Sequence, residues 1–460
     1  MDLIIKNGTV ISSKETKTAD IYIKNGKITD IIKNKIDYFS ENCRIIDASS
    51  KLVMPGGVDV HTHLDMPFMG TKSVDDFETG TIAAAYGGTT SIIDYVMPQK
   101  NQSLIEALDI WHGKAKNKAV IDYGFHMAIV PPIEKALKEL PELAKQGITS
   151  IKCFLAYKNS LMISDSDLFR LFQEAKKTGV LVCIHAENGE VIDLLTKQNL
   201  QKNKIKPIYH ALSSPAILEG ESAARVLKLA KITDIPVYFV HLSTKDALKE
   251  IKTARKNGQK VFAETCPQYL FLSQENYLKP DFEGAKYVMS PPLREFSHQK
   301  YLLNAIEKNE IDVIATDHCP FNFNKEKQMG KDDFTKIPNG IPGIETRLPL
   351  IFSEMVIKES ISLNKFVELN CTNPAKIFGM PNKGDIVVGM DADIAIWDPD
   401  IKWTIKAENL HQNVDYTPFE GFEIQGKPIT VISRGNIIIE NQELKAKAGQ
   451  GQFLKLKSLI

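Results

Sequence analysis

Eight short apolar runs alternate with helical stretches through the middle of the chain, and this alternation restricts the fold more than any other feature. The runs are GGVDVHTH, TSIIDYVMP, YGFHMAIV, SIKCFLAY, VLVCIHAEN, PVYFVHLS, KVFAETCPQYL and DVIATDHCPF; charged, helix-like segments such as ELAKQGI and LFQEAKKTGV lie between them. A strand covered by helices need not alternate apolar with polar residues, so near-continuous apolar strands joined by helices predict parallel β/α units. Eight such units predict an α/β fold closed into a TIM-like (β/α)8 barrel. An open doubly wound sheet is the alternative, but the first run lacks the Gly-X-Gly-X-X-Gly turn of a dinucleotide fold.

The two ends of the chain have another texture. IIKNGTVIS and IYIKNGKITDI each carry an Asn-Gly suited to a tight hairpin, and strand-like segments return in DIVVGMDADIAIWDPD and PITVISRGNIIIENQEL. Chain termini are commonly close in space, so residues 1–52 and 383–445 are expected to form a smaller β-sandwich domain beside a barrel at 53–382. Two domains suit 460 residues, a length beyond which one core stops growing. The tail, 446–460, alternates lysines with apolar residues and is expected to be a solvated arm or an oligomer contact.

Lys+Arg and Asp+Glu balance at 57 each, so no general field attracts nucleic acid or an anionic membrane. The expected partners are small molecules and further copies of the chain. MDLIIKNGTV lacks the basic start and apolar centre of a signal peptide, and no apolar run is long enough to span a bilayer, so a cytoplasmic protein is expected. The six cysteines contain no Cys-X-X-Cys pair, which argues against a disulfide framework or a thiolate zinc knot.

Active groups of such a barrel belong at the C-terminal ends of its strands. Residues that a core strand should exclude recur there: His61 and His63 in VDVHTHLD, Lys152 in SIKCFLAY, then His185, His241 and Asp317. His61 and His63 share one face of a strand because side chains alternate with period two. Singly, each histidine reads as a hydrogen-bonded core residue and Asp317 as a cap; jointly they point to a metal centre. An ammonium at Lys152, among Ile151, Cys153 and Phe154, carries a large desolvation cost unless it loses its proton. A neutral amine can add carbon dioxide, and the resulting carbamate can bridge two cations.

Imidazole-rich ligation favours zinc, with His61, His63 and Asp317 on one ion, His185 and His241 on the other, and Lys152 between them. Such a pair could hold a bridging hydroxide, and Asp317 could take its proton and pass it to a leaving nitrogen. The remaining histidines stand apart. His112, His210, His298 and His411 fall in helical or loop contexts, His126 lies mid-strand, and His318 should point away from Asp317.

With these residues assembled, the chain resembles the dihydropyrimidinase and D-hydantoinase family of the amidohydrolase superfamily. The matching segments are GGVDVHTHLDMPFMG, GGTTSIIDYVMP, SIKCFLAYK, HAENG, ETCPQYL, MSPPLR, TDHCPF, GKDDFTKIPNG and, in the flanking β region, GMDADIAIWDP. The resemblance implies N6-carboxylysine at Lys152 and a binuclear zinc site made with His61, His63, His185, His241 and Asp317. It implies that Tyr157 stabilises the oxyanion and that main-chain groups of Ser290 and Asn339 bind the cyclic amide edge. It assigns the substituent pocket to Met66, Phe68, Phe154 and Leu161, and it implies a homotetramer. Without it, Tyr157 reads as a packing aromatic.

The activity so implied is hydrolytic ring opening of cyclic diamides, dihydrouracil, dihydrothymine or 5-monosubstituted hydantoins, to N-carbamoyl amino acids. Thr346 is a departure, since relatives tend to carry aspartate there, and it bears only on the subfamily. Allantoinase and dihydroorotase are the alternatives within enzymes, but dihydroorotase-like sequences place an arginine where this chain has Asp65. A non-catalytic scaffold is the alternative outside them; such relatives have lost metal ligands, whereas all six positions are present here.

Overall fold

The computed structural model describes residues 2–33 and 43–459. Eight parallel strands run in sequence order: Gly57–Thr62, Thr89–Val96, Asp122–Ala128, Ser150–Phe154, Leu181–His185, Val237–Phe239, Val261–Thr265 and Val313–Ile314. The ring is completed where Thr62 bridges His318 in parallel and the His63 amide donates to the His318 carbonyl at 2.9 Å. Asp59 adds a side-chain clasp, accepting from the Thr316 hydroxyl at 2.7 Å. The expected (β/α)8 barrel is therefore the fold.

Local sequence explains the helices around it. Helix Asp165–Thr178 starts at Ser164, whose hydroxyl accepts from the Asp167 amide, and stops at Gly179, whose φ of 71° glycine adopts without a Cβ penalty. Leu168, Leu171, Phe172 and Ala175 form its buried stripe at helical spacing. They pack in one core with Val182 and Ile184 of the fifth strand, while Leu181 and Cys183 join Tyr238 and Val313 in a separate cluster. The period-two alternation thus puts His185 on the same side as the second cluster.

Segments from both ends of the chain form one mixed sheet of nine strands. Its hydrophobic cluster joins Leu3, Ile21 and Ile28 to Ile394, Ile396 and Ile432. Leu52–Pro55 pairs with Leu3–Ile11 and with Ile394–Thr404, and the chain then enters the first barrel strand at Gly57. Asn25-Gly26 makes the expected hairpin, with φ of 51° and 72° between paired strands. Asn7-Gly8 does not: Leu3–Ile11 runs straight through it as a bulged strand. The paired strand Leu52–Pro55 presses on this position, since a Cβ on Gly8 would lie 2.4 Å from Val53, so the glycine provides close approach rather than a turn.

A buried ionic knot ties this sheet to the barrel. Lys383 Nζ lies 2.7 Å from Asp122 on the third strand and 2.6 Å from Asp393, and Arg434 Nε donates to Asp122. The tail lies along its own chain: the Leu454 amide donates to the Tyr123 carbonyl at 2.7 Å, and Leu456 is buried with Val58, Phe378 and Met380. Its apolar residues cover the barrel while Lys455 and Lys457 face outward, which differs from a freely solvated arm. Among the described residues, no helix is long and apolar enough to cross a membrane.

Candidate active site

His61 Nε2 and His63 Nε2 approach Asp317 Oδ1 at 3.1 and 3.0 Å. Lys152 Nζ lies 3.4 Å from His61 Nε2, and His185 Nδ1 lies 3.0 Å from His241 Nε2. Ligand atoms of His61, His241 and Asp317 fall within 4.8 Å of one another. The six residues singled out from the sequence are thus one cluster, reached from the first, fourth, fifth, sixth and eighth strands.

Two acids fix the imidazoles. Glu264, on the seventh strand, accepts from His61 Nδ1 at 2.7 Å, from the His241 amide at 2.9 Å and from the Tyr238 hydroxyl at 2.7 Å. Glu187 accepts from His185 Nε2 at 2.8 Å. A proton held on the outer nitrogen leaves the inner nitrogen of each ring as a lone-pair donor, the tautomer a metal ligand needs. Burial lowers His63 to about 4 and His241 well below the ordinary imidazole range, so both rings are neutral. Burial works to raise Asp317, yet the charge and hydrogen bond of His61 and the hydrogen bond of His63 hold it well below the usual carboxylate range.

Lys152 is 1% exposed, and burial pulls its pKa down against the attraction of Asp317 and Glu264. Its Nζ also stands 4.8 Å from the Tyr95 ring centroid. Four imidazoles, one carboxylate and a desolvated amine converging in one buried cluster form a donor set that fits divalent cations. Among the described residues, the buried Nδ1 atoms of His63 and His241 have no hydrogen-bond partner, which adds to the unmet polarity of the cluster.

Tyr157, His241 and Asp317 have φ of 63°, 39° and 54°. Left-handed backbone at tyrosine and histidine is strained by about 1–3 kcal/mol each, and such strain gathers at functional sites. Here it turns the chain just past a strand end so that the side chain faces the cluster. The His241 and Asp317 positions lie beyond their strands, which end at Phe239 and Ile314.

An inner cavity of about 50 Å³ sits over this cluster, lined by Met66, Phe68, Phe154, Tyr157, Leu161, Ser290 and Asn339 as well as Lys152, His185 and Asp317. The Tyr157 ring stands edge-on to Phe68 and Phe154, with centroids 5.7 and 6.0 Å apart. Its hydroxyl bonds toward Ser290 and Asn339, and burial nevertheless raises its pKa, so it remains a proton donor. Asn339 Nδ2 donates to Ser290 Oγ at 3.0 Å. An outer cavity of about 660 Å³ shares Phe68, Tyr157, Leu161, Ser290 and Asn339 with the inner one and adds Trp111 and Ile192.

Comparison with known proteins decides the family. Residues 52–438 match the Amidohydrolase family. A D-hydantoinase of Geobacillus stearothermophilus is 48% identical over 457 residues, covering 99% of this chain and 96% of the relative. The chain belongs to the dihydropyrimidinase and D-hydantoinase branch of that family. A dihydropyrimidinase of Arabidopsis thaliana is 40% identical over 458 residues, covering 99% of this chain and 85% of the relative. The crystal structure of a dihydropyrimidinase from Brevibacillus agri superposes with a TM-score of 0.97 at 47% identity, covering 100% of both chains. The protein is a cyclic amidohydrolase, a family that implies divalent metal, and the scaffold alternative falls away.

The other histidines of this amidohydrolase are engaged elsewhere. His126 Nε2 faces the Val60 carbonyl at 3.0 Å, and His318 accepts from the Gly343 amide while its Nε2 meets Asp75 at 3.0 Å. His210 Nε2 faces the Met289 carbonyl at 2.7 Å, and His411 meets Glu345. Glu187 and Glu264 escaped the sequence reading. Their signal was present, an acid two residues after His185 and a carboxylate inside the apolar run KVFAETCPQYL.

Proposed function

We propose that this cyclic amidohydrolase adds water across one ring amide of 5,6-dihydropyrimidines and 5-monosubstituted hydantoins, releasing N-carbamoyl β- and α-amino acids. The single observation that carries the reading is the inner cavity, whose lining brings five of the six cluster residues, His63, Lys152, His185, His241 and Asp317, together with Tyr157, Ser290 and Asn339. The donor set fits a pair of zinc ions, of which His61, His63 and Asp317 would hold one and His185 and His241 the other, with a carboxylated Lys152 offering oxygen donors to the site. When bound, the ions supply an acidified water and a Lewis acid for the amide carbonyl.

The chain's own residues do the rest. Asp317, kept ionised by its imidazole neighbours, accepts the proton of the attacking water and returns it to the ring nitrogen as the C–N bond breaks. One water is consumed, and one carboxylate and one carbamoyl group appear. Tyr157 donates its hydroxyl proton in a hydrogen bond to the oxygen that becomes negative. Main-chain groups of Ser290 and Asn339 hold the amide edge, and Met66, Phe68, Phe154 and Leu161 enclose the ring carbon that bears a substituent. Asp65 is paired with Lys72 at 2.7 Å and offers no cation to a ring carboxylate, which supports neutral rings over dihydroorotate. The assembly we propose, on the resemblance, is a homotetramer.

The test is ring opening by the zinc-loaded protein, followed by ultraviolet absorbance on dihydrouracil and on 5-phenylhydantoin and compared as kcat/KM. Preference for dihydrouracil places the enzyme in dihydropyrimidine breakdown, and preference for the aryl ring makes it a hydantoinase; opening of neither overturns the proposal. Tyr157→Phe is expected to lower kcat by about 100- to 1,000-fold with little change in KM, the cost of one oxyanion donor. An unchanged kcat would return Tyr157 to a packing role.

A further inference from the structure

Lys327 is fully buried, and its Nζ donates to three backbone carbonyls: Val288 at 2.7 Å, Pro338 at 2.7 Å and Gly340 at 2.8 Å. An ammonium has three hydrogens and no acceptor capacity, so this set satisfies it completely without a carboxylate. Burying a charge is costly, and a lysine placed here solely to fill space would be a poor choice beside methionine or leucine. What distinguishes the three carbonyls is their place in the chain. Val288 is two residues before Ser290, and Pro338 and Gly340 flank Asn339.

The same two segments meet directly as well. The Gly340 amide donates to the Val288 carbonyl at 3.0 Å, and Asn339 Nδ2 reaches Ser290 Oγ at 3.0 Å. The base from which Lys327 reaches them is itself fixed. Its amide donates to the Asn322 carbonyl at 3.0 Å, and a Cβ at Gly330, on the same turn, would lie 2.1 Å from Ile337, so the turn is pressed against the segment leading to Pro338.

We infer that Lys327 is a positioning residue for substrate: its three-carbonyl tie sets the spacing between the Ser290 and Asn339 segments so that their main-chain groups meet one edge of the ring. The inference rests on the reading that those groups bind the cyclic amide. Lys327 touches neither the substrate nor the metal ligands; it acts through the two segments. Their hydrogen bonds to the ring persist from the bound ground state to the transition state, so loss of the tie removes uniform binding and appears in KM.

The experiment compares wild-type holoenzyme with Lys327→Met and Lys327→Arg, on whichever of dihydrouracil and 5-phenylhydantoin the wild type opens. Metal content by atomic emission is expected to be unchanged in both variants. KM is expected to rise roughly tenfold or more in Lys327→Met while kcat stays within roughly threefold, the pattern of lost uniform binding. Lys327→Arg keeps the charge but spreads its donors over a fork that cannot converge on one point, so an intermediate KM is expected. Should the methionine variant fail to fold, the arginine variant decides. A wild-type KM in every soluble variant overturns the inference, as does a fall in kcat or metal content at constant KM. No ring opening by the wild type overturns the functional reading, and this inference with it.

Discussion

Lys152→Ala is expected to lose its metal and to bring ring opening down to background, a fall in kcat/KM of roughly four orders of magnitude or more, as when one member of a group that acts as a unit is removed. The physical ground is the position of the amine. Lys152 is 1% exposed, and its hydrogen-bond contact is His61 Nε2 at 3.4 Å, itself a metal-ligand candidate. An ammonium in that position would face imidazole nitrogens that must stay unprotonated to bind a cation, and burial already works to strip its proton. The proposed carboxylation would resolve the conflict, because the amine, having lost its proton, adds carbon dioxide and releases a second proton to become an oxygen donor. Alanine would remove that donor and leave a small buried cavity beside Tyr95 and Phe154.

Two further readouts separate this from simple damage. Short carboxylic acids that fit the vacated space are expected to restore part of the metal content and part of the turnover. The intact wild-type protein, measured by native mass spectrometry without acid treatment, is expected to carry the added mass of one carbon dioxide. Full metal content in Lys152→Ala would remove the carbamate bridge from the mechanism.

The barrel was legible in the sequence because its signal is repeated. Each of the eight runs is short and ambiguous, but their regular alternation with helical segments leaves few ways to bury them. The clustering of these polar residues was legible for a related reason: histidine, lysine and aspartate in places that packing would give to valine or leucine are costly unless they act together. Less could be read where function depends on a residue that looks ordinary in its own segment. Glu264 and Glu187 pass as strand-end polar residues until His61 and His185 are seen to point their outer nitrogens at them.

Backbone detail was the other blind area. Asn7-Gly8 and Asn25-Gly26 are the same dipeptide, yet the first lies in a bulged strand with Val53 close against Gly8 and the second makes a hairpin. Left-handed backbone at Tyr157 has no sequence signature, because the residues that favour it are glycine, asparagine, aspartate and histidine. Lys327 is the strongest case. In FNKEKQMG it reads as one more surface charge, and its burial follows from a loop conformation that nothing in that segment announces.

Asp317→Asn is expected to cut kcat by roughly 1,000- to 10,000-fold, the upper range for a positioned general base and acid, while folding stability falls far less than turnover does. The substitution is favourable for isolating proton transfer. Asp317 has φ of 54°, and asparagine tolerates that left-handed conformation as well as aspartate does, so the turn that aims the side chain survives. The amide oxygen can also keep the approach to His61 and His63 now made at 3.1 and 3.0 Å. What it cannot do is accept a proton from water and deliver it to a departing ring nitrogen. Folding is expected to lose some stability, because the imidazoles outweigh burial at Asp317 and the neutral amide forfeits part of that attraction. Metal content must be measured beside turnover, since the same oxygen is a proposed ligand. Retained metal with lost turnover assigns the proton shuttle to Asp317; lost metal with lost turnover limits it to a ligand; wild-type turnover in Asp317→Asn eliminates it as the base.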